Sequence, residues 1–189
     1  NKNTPLDSVV LTLSIDQNIK ISTYAHNNVY LSNGFFSTWT TEEISDRIVF
    51  LHDIYNVSDA ELYTKLNVTN DAFRLEYINK LYKGKRFSLY DFEKYFFIYY
   101  PFILQFFYGK WDYQQQNPDN SSWIGYYFPL QFRETVMNKR QNKSYKIYSY
   151  DYILIGPYEN QIADVDKINK EFKNIYSNDA FKLFSKQTI

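Results

Sequence analysis

The 189-residue chain weighs 22.8 kDa, which suits one domain or at most two small ones. Its 21 basic and 21 acidic residues balance, so no basic excess supports general nucleic-acid binding or attachment to an anionic membrane surface. The absence of cysteine excludes disulfides, zinc thiolate sites, iron–sulfur clusters and thiol catalysis together.

The chain begins at Asn1, and Asn1 to Leu6 lacks the apolar core of a signal peptide. The expectation is a processed chain whose leader or anchor has been removed, with trimming to a single domain as the rival reading, and an address in the periplasm, the cell envelope or outside the cell. Ser8 to Ser14 is β-branched and apolar, and Asp16-Gln17-Asn18 supplies turn chemistry. Ile19 to Tyr24 then reads as the returning strand of a β-hairpin. Val29-Tyr30-Leu31, bracketed by Asn27-Asn28 and Ser32-Asn33-Gly34, reads as a short third strand.

Helices follow. Thr40 with Glu43, and Ser58 with Glu61, have capping-box spacing, in which each side chain satisfies a first-turn backbone N–H. Ile44, Ile48, Leu51 and Tyr55 recur at helical spacing after the first box, and Leu62 and Leu66 after the second. Asn70 is placed to cap a third helix that Gly84 closes, and Ser88 with Asp91 opens a fourth. The fourth runs into Tyr95–Tyr108, the densest apolar stretch. Its 14 residues are too few to cross a bilayer, which takes about 20. Pro101 interrupts the run, and the expectation is a buried central helix kinked there.

Asp112 to Ser122 reads as a loop. Beyond it, Trp123 to Arg133 and Lys143 to Tyr158 read as strands, with Ile153 and Ile155 on one face and Tyr148, Tyr150 and Tyr152 on the other. Gly156-Pro157 stops the second of these. A last amphipathic helix carries Ile162, Val165, Ile168, Phe172 and Ile175, and Phe181 to Phe184 adds an edge strand. The turn Tyr152-Ile-Leu-Ile-Gly-Pro-Tyr158, leading to Ala163, resembles one half of the sporulation-related peptidoglycan-binding repeat, in which a strand ending in a Gly-Pro-aromatic turn feeds a helix. The resemblance implies the same strand–helix unit here, and its second half is not evident downstream.

The order strands, helices, strands, helix predicts an α+β fold. It would be a single domain over 1–189, divisible at most into 1–110 and 123–189. An antiparallel sheet from the N- and C-terminal strands would pack against a central helical layer holding the Pro-kinked helix.

The catalytic inventory is thin. Neither His26 nor His52 has a metal-spaced partner, and no Gly-x-Ser-x-Gly elbow exists. His26 reads as a turn residue, and His52 as a helix-surface or boundary residue. The five glycines are scattered, so no phosphate cradle forms and no cofactor is called for. The carboxylate pairs Glu42/Glu43, Asp91/Glu93 and Asp164/Asp166 sit near helix starts, where the helix dipole favours acids without any catalytic role. Ser58 to Leu81 mimics a helix-turn-helix, but its would-be reading face carries Asp71, Phe73, Arg74 and Tyr77.

An A/T-rich codon bias explains much of the aromatic surplus of 20 Tyr and 16 Phe. What remains falls on Trp111, Tyr113, Trp123, Tyr126 and Tyr127 around the loop, and on Tyr148, Tyr150 and Tyr152 along one strand face. Tyr and Trp combine a large apolar area with a polar tip, which suits partner contact. These eight residues are the candidate partner-binding set. The expected function is a non-enzymatic protein-binding component of a bacterial envelope or exported system: an adaptor, accessory subunit or immunity-type protein. The alternative is glycan or peptidoglycan binding through Trp111–Tyr127, with an unrecognised hydrolase and a DNA-binding protein ranked below it.

Overall fold

The structure, a computed structural model, describes residues 4–31, 39–67 and 130–186. Among these residues the fold is α+β, with five strands in one sheet and six helices. The Tyr95–Tyr108 run, with its expected kink at Pro101, and the helices expected from Asn70 and Ser88 lie outside the described residues.

Strand β1 (Val9–Leu11) leads through helix α1 (Ile15–Tyr24) into β2 (Asn28–Val29), which pairs with β1 in parallel. This corrects the expected hairpin, because Asp16-Gln17-Asn18 forms the first turn of a helix. Ser14 caps that helix, its Oγ accepting from Gln17 N at 3.1 Å. Turn formers and helix starters are the same polar residues, since each side chain can take a local backbone N–H.

Helix α2 (Thr41–Ile54) and helix α3 (Asp59–Asn67) begin where the capping boxes place them. Thr40 Oγ1 accepts from Glu43 N at 3.2 Å, and Ser58 Oγ accepts from Glu61 N at 3.1 Å. Helix α4 (Leu130–Gln141) takes up part of the expected Trp123–Arg133 strand and packs against α2. Segment 144–150 has no regular structure, so the expected Lys143–Tyr158 strand contracts to β3 (Tyr152–Ile155). The short helix α5 (Glu159–Ile162) and helix α6 (Val165–Glu171) follow. The expected last helix stops there, and Phe172 and Ile175 belong to strand β4 (Phe172–Ser177), which turns back into β5 (Lys182–Lys186).

The strand order is β2-β1-β3-β5-β4. β1 is parallel to both β2 and β3, whereas β3/β5 and β5/β4 are antiparallel. The sheet is therefore mixed, not antiparallel as expected, because α1 carries the chain back to the start of the sheet before β2. The C-terminal strand expected at an edge lies inside, and β4 is the edge. Register aligns Leu11, Ile153 and Phe184 across three strands. With Ile155 they form a fully buried face, in one cluster with Ile44, Ile48 and Leu51 of α2 and Phe132 and Val136 of α4. Val10 and Leu183 alternate to the other face and are also buried, as is Ile21 of α1.

Candidate functional site

β1 stands between parallel β2 and β3, and the chain leaving the carboxyl end of β1 into α1 parts from the chain leaving that of β3 into α5. In open α/β sheets this is the crevice where ligands settle. Here the carboxylate of Glu159 fills it. Oε1 accepts from Thr12 Oγ1 at 2.7 Å, Leu13 N at 2.7 Å and Ser14 N at 2.9 Å, and Oε2 accepts from Gly156 N at 3.0 Å. Burial pushes its pKa up, and these donors pull against that shift by favouring the ionised form. Gly156 leaves this corner uncrowded. A Cβ there would stand 2.8 Å from the Phe181 ring and 3.2 Å from Glu159 Oε2. Nothing in the sequence flags Glu159 as more than a surface acid after a Gly-Pro turn.

The second concentration of chemistry surrounds Arg47 of α2. Its guanidinium carbon lies 4.1 Å from the ring centre of Trp39, 4.3 Å from that of Tyr148 and 4.9 Å from that of Tyr30. Nη1 donates to Tyr30 O at 2.7 Å, and Nε and Nη2 donate to Glu43 Oε1 at 3.2 and 2.9 Å. Such a planar cation suits both aromatic faces and a carboxylate fork. Tyr30 extends the cluster inward, packing on Phe50 and edge-on against Tyr150. Its hydroxyl accepts from Tyr148 N at 3.3 Å, and burial pushes its pKa up to about 12. Outward, the Lys146 ammonium stands over the Tyr148 ring and that of Lys186 over the Tyr150 ring. Neither lysine forms an ion pair among the described residues. Ile147, between Lys146 and Tyr148, is 60% exposed.

The structure places the candidate residues unevenly. Trp111, Tyr113, Trp123, Tyr126 and Tyr127 lie outside the described residues, and with them the basis of the glycan reading. Tyr148 is half-buried beside Arg47, Tyr150 is buried at 9%, and Tyr152 is half-buried on β3. Tyr148 and Tyr150 precede β3, so the three tyrosines do not share one strand face. Composition and periodicity do not single out Arg47 or Trp39. The Glu43/Arg47 spacing is the one signal that could have marked Arg47, since it suits an i,i+4 ion pair.

Catalytic groups do not converge among the described residues. His52 is buried, at 2% exposure, rather than at the helix boundary, and its Nδ1 lies 2.7 Å from Ile48 O. Burial, reinforced by the Lys65 and Arg140 charges, pushes its pKa down to about 3. His26 is exposed at positive φ (53°) in the link between α1 and β2. Glu43 holds Arg47, and Asp164 caps α6 by accepting from Lys167 N at 3.0 Å. Lys65 and Arg140 are buried as well, with Lys65 donating to the Tyr158 hydroxyl and Arg140 paired with Asp59 at 2.6 Å. Among the described residues, no three His, Asp or Glu side chains are grouped to hold a metal ion, and no helix is long and apolar enough to cross a membrane.

No family model, no curated protein and no solved structure matches the chain.

Proposed function

We propose that the chain is a non-enzymatic binding module that engages a protein partner through the surface built on Trp39, Arg47 and Tyr148. One observation carries this reading: the guanidinium of Arg47 lies within 4.3 Å of the ring centres of both a tryptophan and a tyrosine, all three at partly buried positions. Trp, Tyr and Arg are the residue types that dominate binding energy at protein interfaces. Glu43 and the Tyr30 carbonyl hold the Arg47 guanidinium against the two rings, so little of its rotamer freedom is left to lose on association. Exposed Ile147, next to Tyr148 in sequence, adds an apolar side chain, and the ammoniums of Lys146 and Lys186 add acceptor-seeking charge. The partner this chemistry fits is a protein surface with carboxylates around an apolar side chain.

Site-specific photocrosslinking in the native host tests the reading. A photoreactive residue at Ile147 should give a discrete adduct with one protein, and Trp39→Ala or Arg47→Ala should abolish it. The control site is Tyr24, 76% exposed at the end of α1. Absence of an adduct from Ile147, or the same adducts from both sites, would overturn the proposal.

A further inference from the structure

We infer that the crevice at the carboxyl ends of β1 and β3 is a binding site for a small carboxylate, and that its resident ligand is the chain's own Glu159 side chain. The reading is independent of the protein-binding surface. Four donors from two separate stretches of chain, Thr12–Ser14 and Gly156, aim at one carboxylate. They are the Thr12 hydroxyl, the Leu13 and Ser14 amides ahead of α1, and the Gly156 amide after β3. Successive backbone N–H groups ahead of a helix make an anion-binding concavity. The ten-residue α1 adds the positive end of its dipole.

The walls are built for the purpose. Thr12 and Ser14 are themselves buried, and a Cβ on Gly156 would crowd the carboxylate at 3.2 Å from Oε2. No lysine or arginine pairs with Glu159 among the described residues. Neutral donors alone hold the carboxylate, as they would a free anion. The Tyr55 hydroxyl, behind the strand ends, is committed to Leu11 O and Leu154 O and does not compete. Tethering the ligand on α5 welds the β1–α1 turn to the β3–α5 turn, joining residues 145 to 147 positions apart.

Chemical rescue in the full chain tests this. Glu159→Ala removes the Cγ methylene and the carboxylate, a fragment the size of acetate. At neutral pH and constant ionic strength, the variant should melt below the wild type in chloride and regain melting temperature saturably as acetate replaces chloride. Propionate, one carbon longer, should restore less. In Glu159→Gly, where the Cβ space is also free, propionate should equal or exceed acetate. If Glu159→Ala is unfolded in chloride, recovery of its far-ultraviolet helix signal on adding acetate reads the same binding. The wild type should respond to neither anion. Parallel responses of wild type and variant to acetate, or a variant indifferent to acetate by both readouts, would overturn the inference.

Discussion

Tyr55 and Leu154 are 99 residues apart in sequence, yet the Tyr55 hydroxyl reaches the Leu154 carbonyl at 2.8 Å. The same hydroxyl lies 2.8 Å from Leu11 O, so its one proton is shared between the ends of two neighbouring strands. The ring is fully buried, and burial raises the phenol's pKa well above its usual value. It is therefore a neutral donor at any physiological pH.

Removing that hydroxyl leaves two inward carbonyls short of a donor while the ring volume stays the same. Tyr55→Phe should cost about 1–3 kcal/mol, the range for leaving buried polar groups unsatisfied. Urea unfolding with an unchanged m-value is the measurement that isolates this loss.

His52 makes stability depend on pH. Its folded pKa of about 3 lies below the ordinary 6.5, because burial disfavours the imidazolium. Below pH 6.5 the unfolded chain takes up a proton there and the folded chain does not. Stability present above pH 6.5 is thus lost as the pH falls toward the folded value, by about 1.4 kcal/mol per pH unit. His52→Gln removes this contribution. Between pH 7 and pH 5 the wild type should lose about 2 kcal/mol more than the variant. Equal losses would show that His52 is protonated in the folded chain.

Lys139 ties α4 to α2. Its ammonium lies 2.6 Å from Asp46 Oδ1 and 2.9 Å from Ser45 Oγ, with the Asp46 side chain only 6% exposed. Lys139→Ala strands a buried carboxylate and should cost about 3 kcal/mol, the low end for a broken buried pair because the lysine itself reaches toward water. The double variant Asp46→Asn/Lys139→Met, which removes both charges and nearly keeps volume, should lose less than the sum of the single changes. A double-mutant cycle by denaturant unfolding gives the comparison.

The helix starts were the most legible part of the sequence. Thr40 and Ser58 announce α2 and α3 because a capping box is a local device, fixed by residues three apart. Ser14 with Gln17 carries the same box, and only the competing turn reading of Asp16-Gln17-Asn18 hid α1. The end of α6 was illegible for a different reason. Ile168, Phe172 and Ile175 keep helical spacing across the junction, and pairing of the Phe172–Ser177 segment with β5, with Ile175 at a register shift, makes it strand. Strand direction was not legible either, since parallel pairing of β1 with β3 follows from how the intervening chain returns. The site residues were harder still. Arg47, Trp39 and Tyr148 come from separate segments, and nothing local marks Glu159 as buried.

Gly156 offers the sharpest test of how the crevice is packed. A Cβ at this position would fall 2.8 and 3.1 Å from two carbons of the Phe181 ring and 3.2 Å from Glu159 Oε2. The first contact is closer than carbon atoms tolerate, so the half-buried Phe181 ring or the β3–α5 turn has to give way. Gly156→Ala should therefore destabilise the chain by about 1–3 kcal/mol, as overpacking usually does. The two neighbours contribute separably. In a Phe181→Ala background the ring contact is gone and only the approach to the carboxylate remains. There Gly156→Ala should cost clearly less than in the wild type, a coupling that unfolding free energies of the four chains resolve. If the cost is the same in both backgrounds, the strain lies at Glu159 and not at the ring.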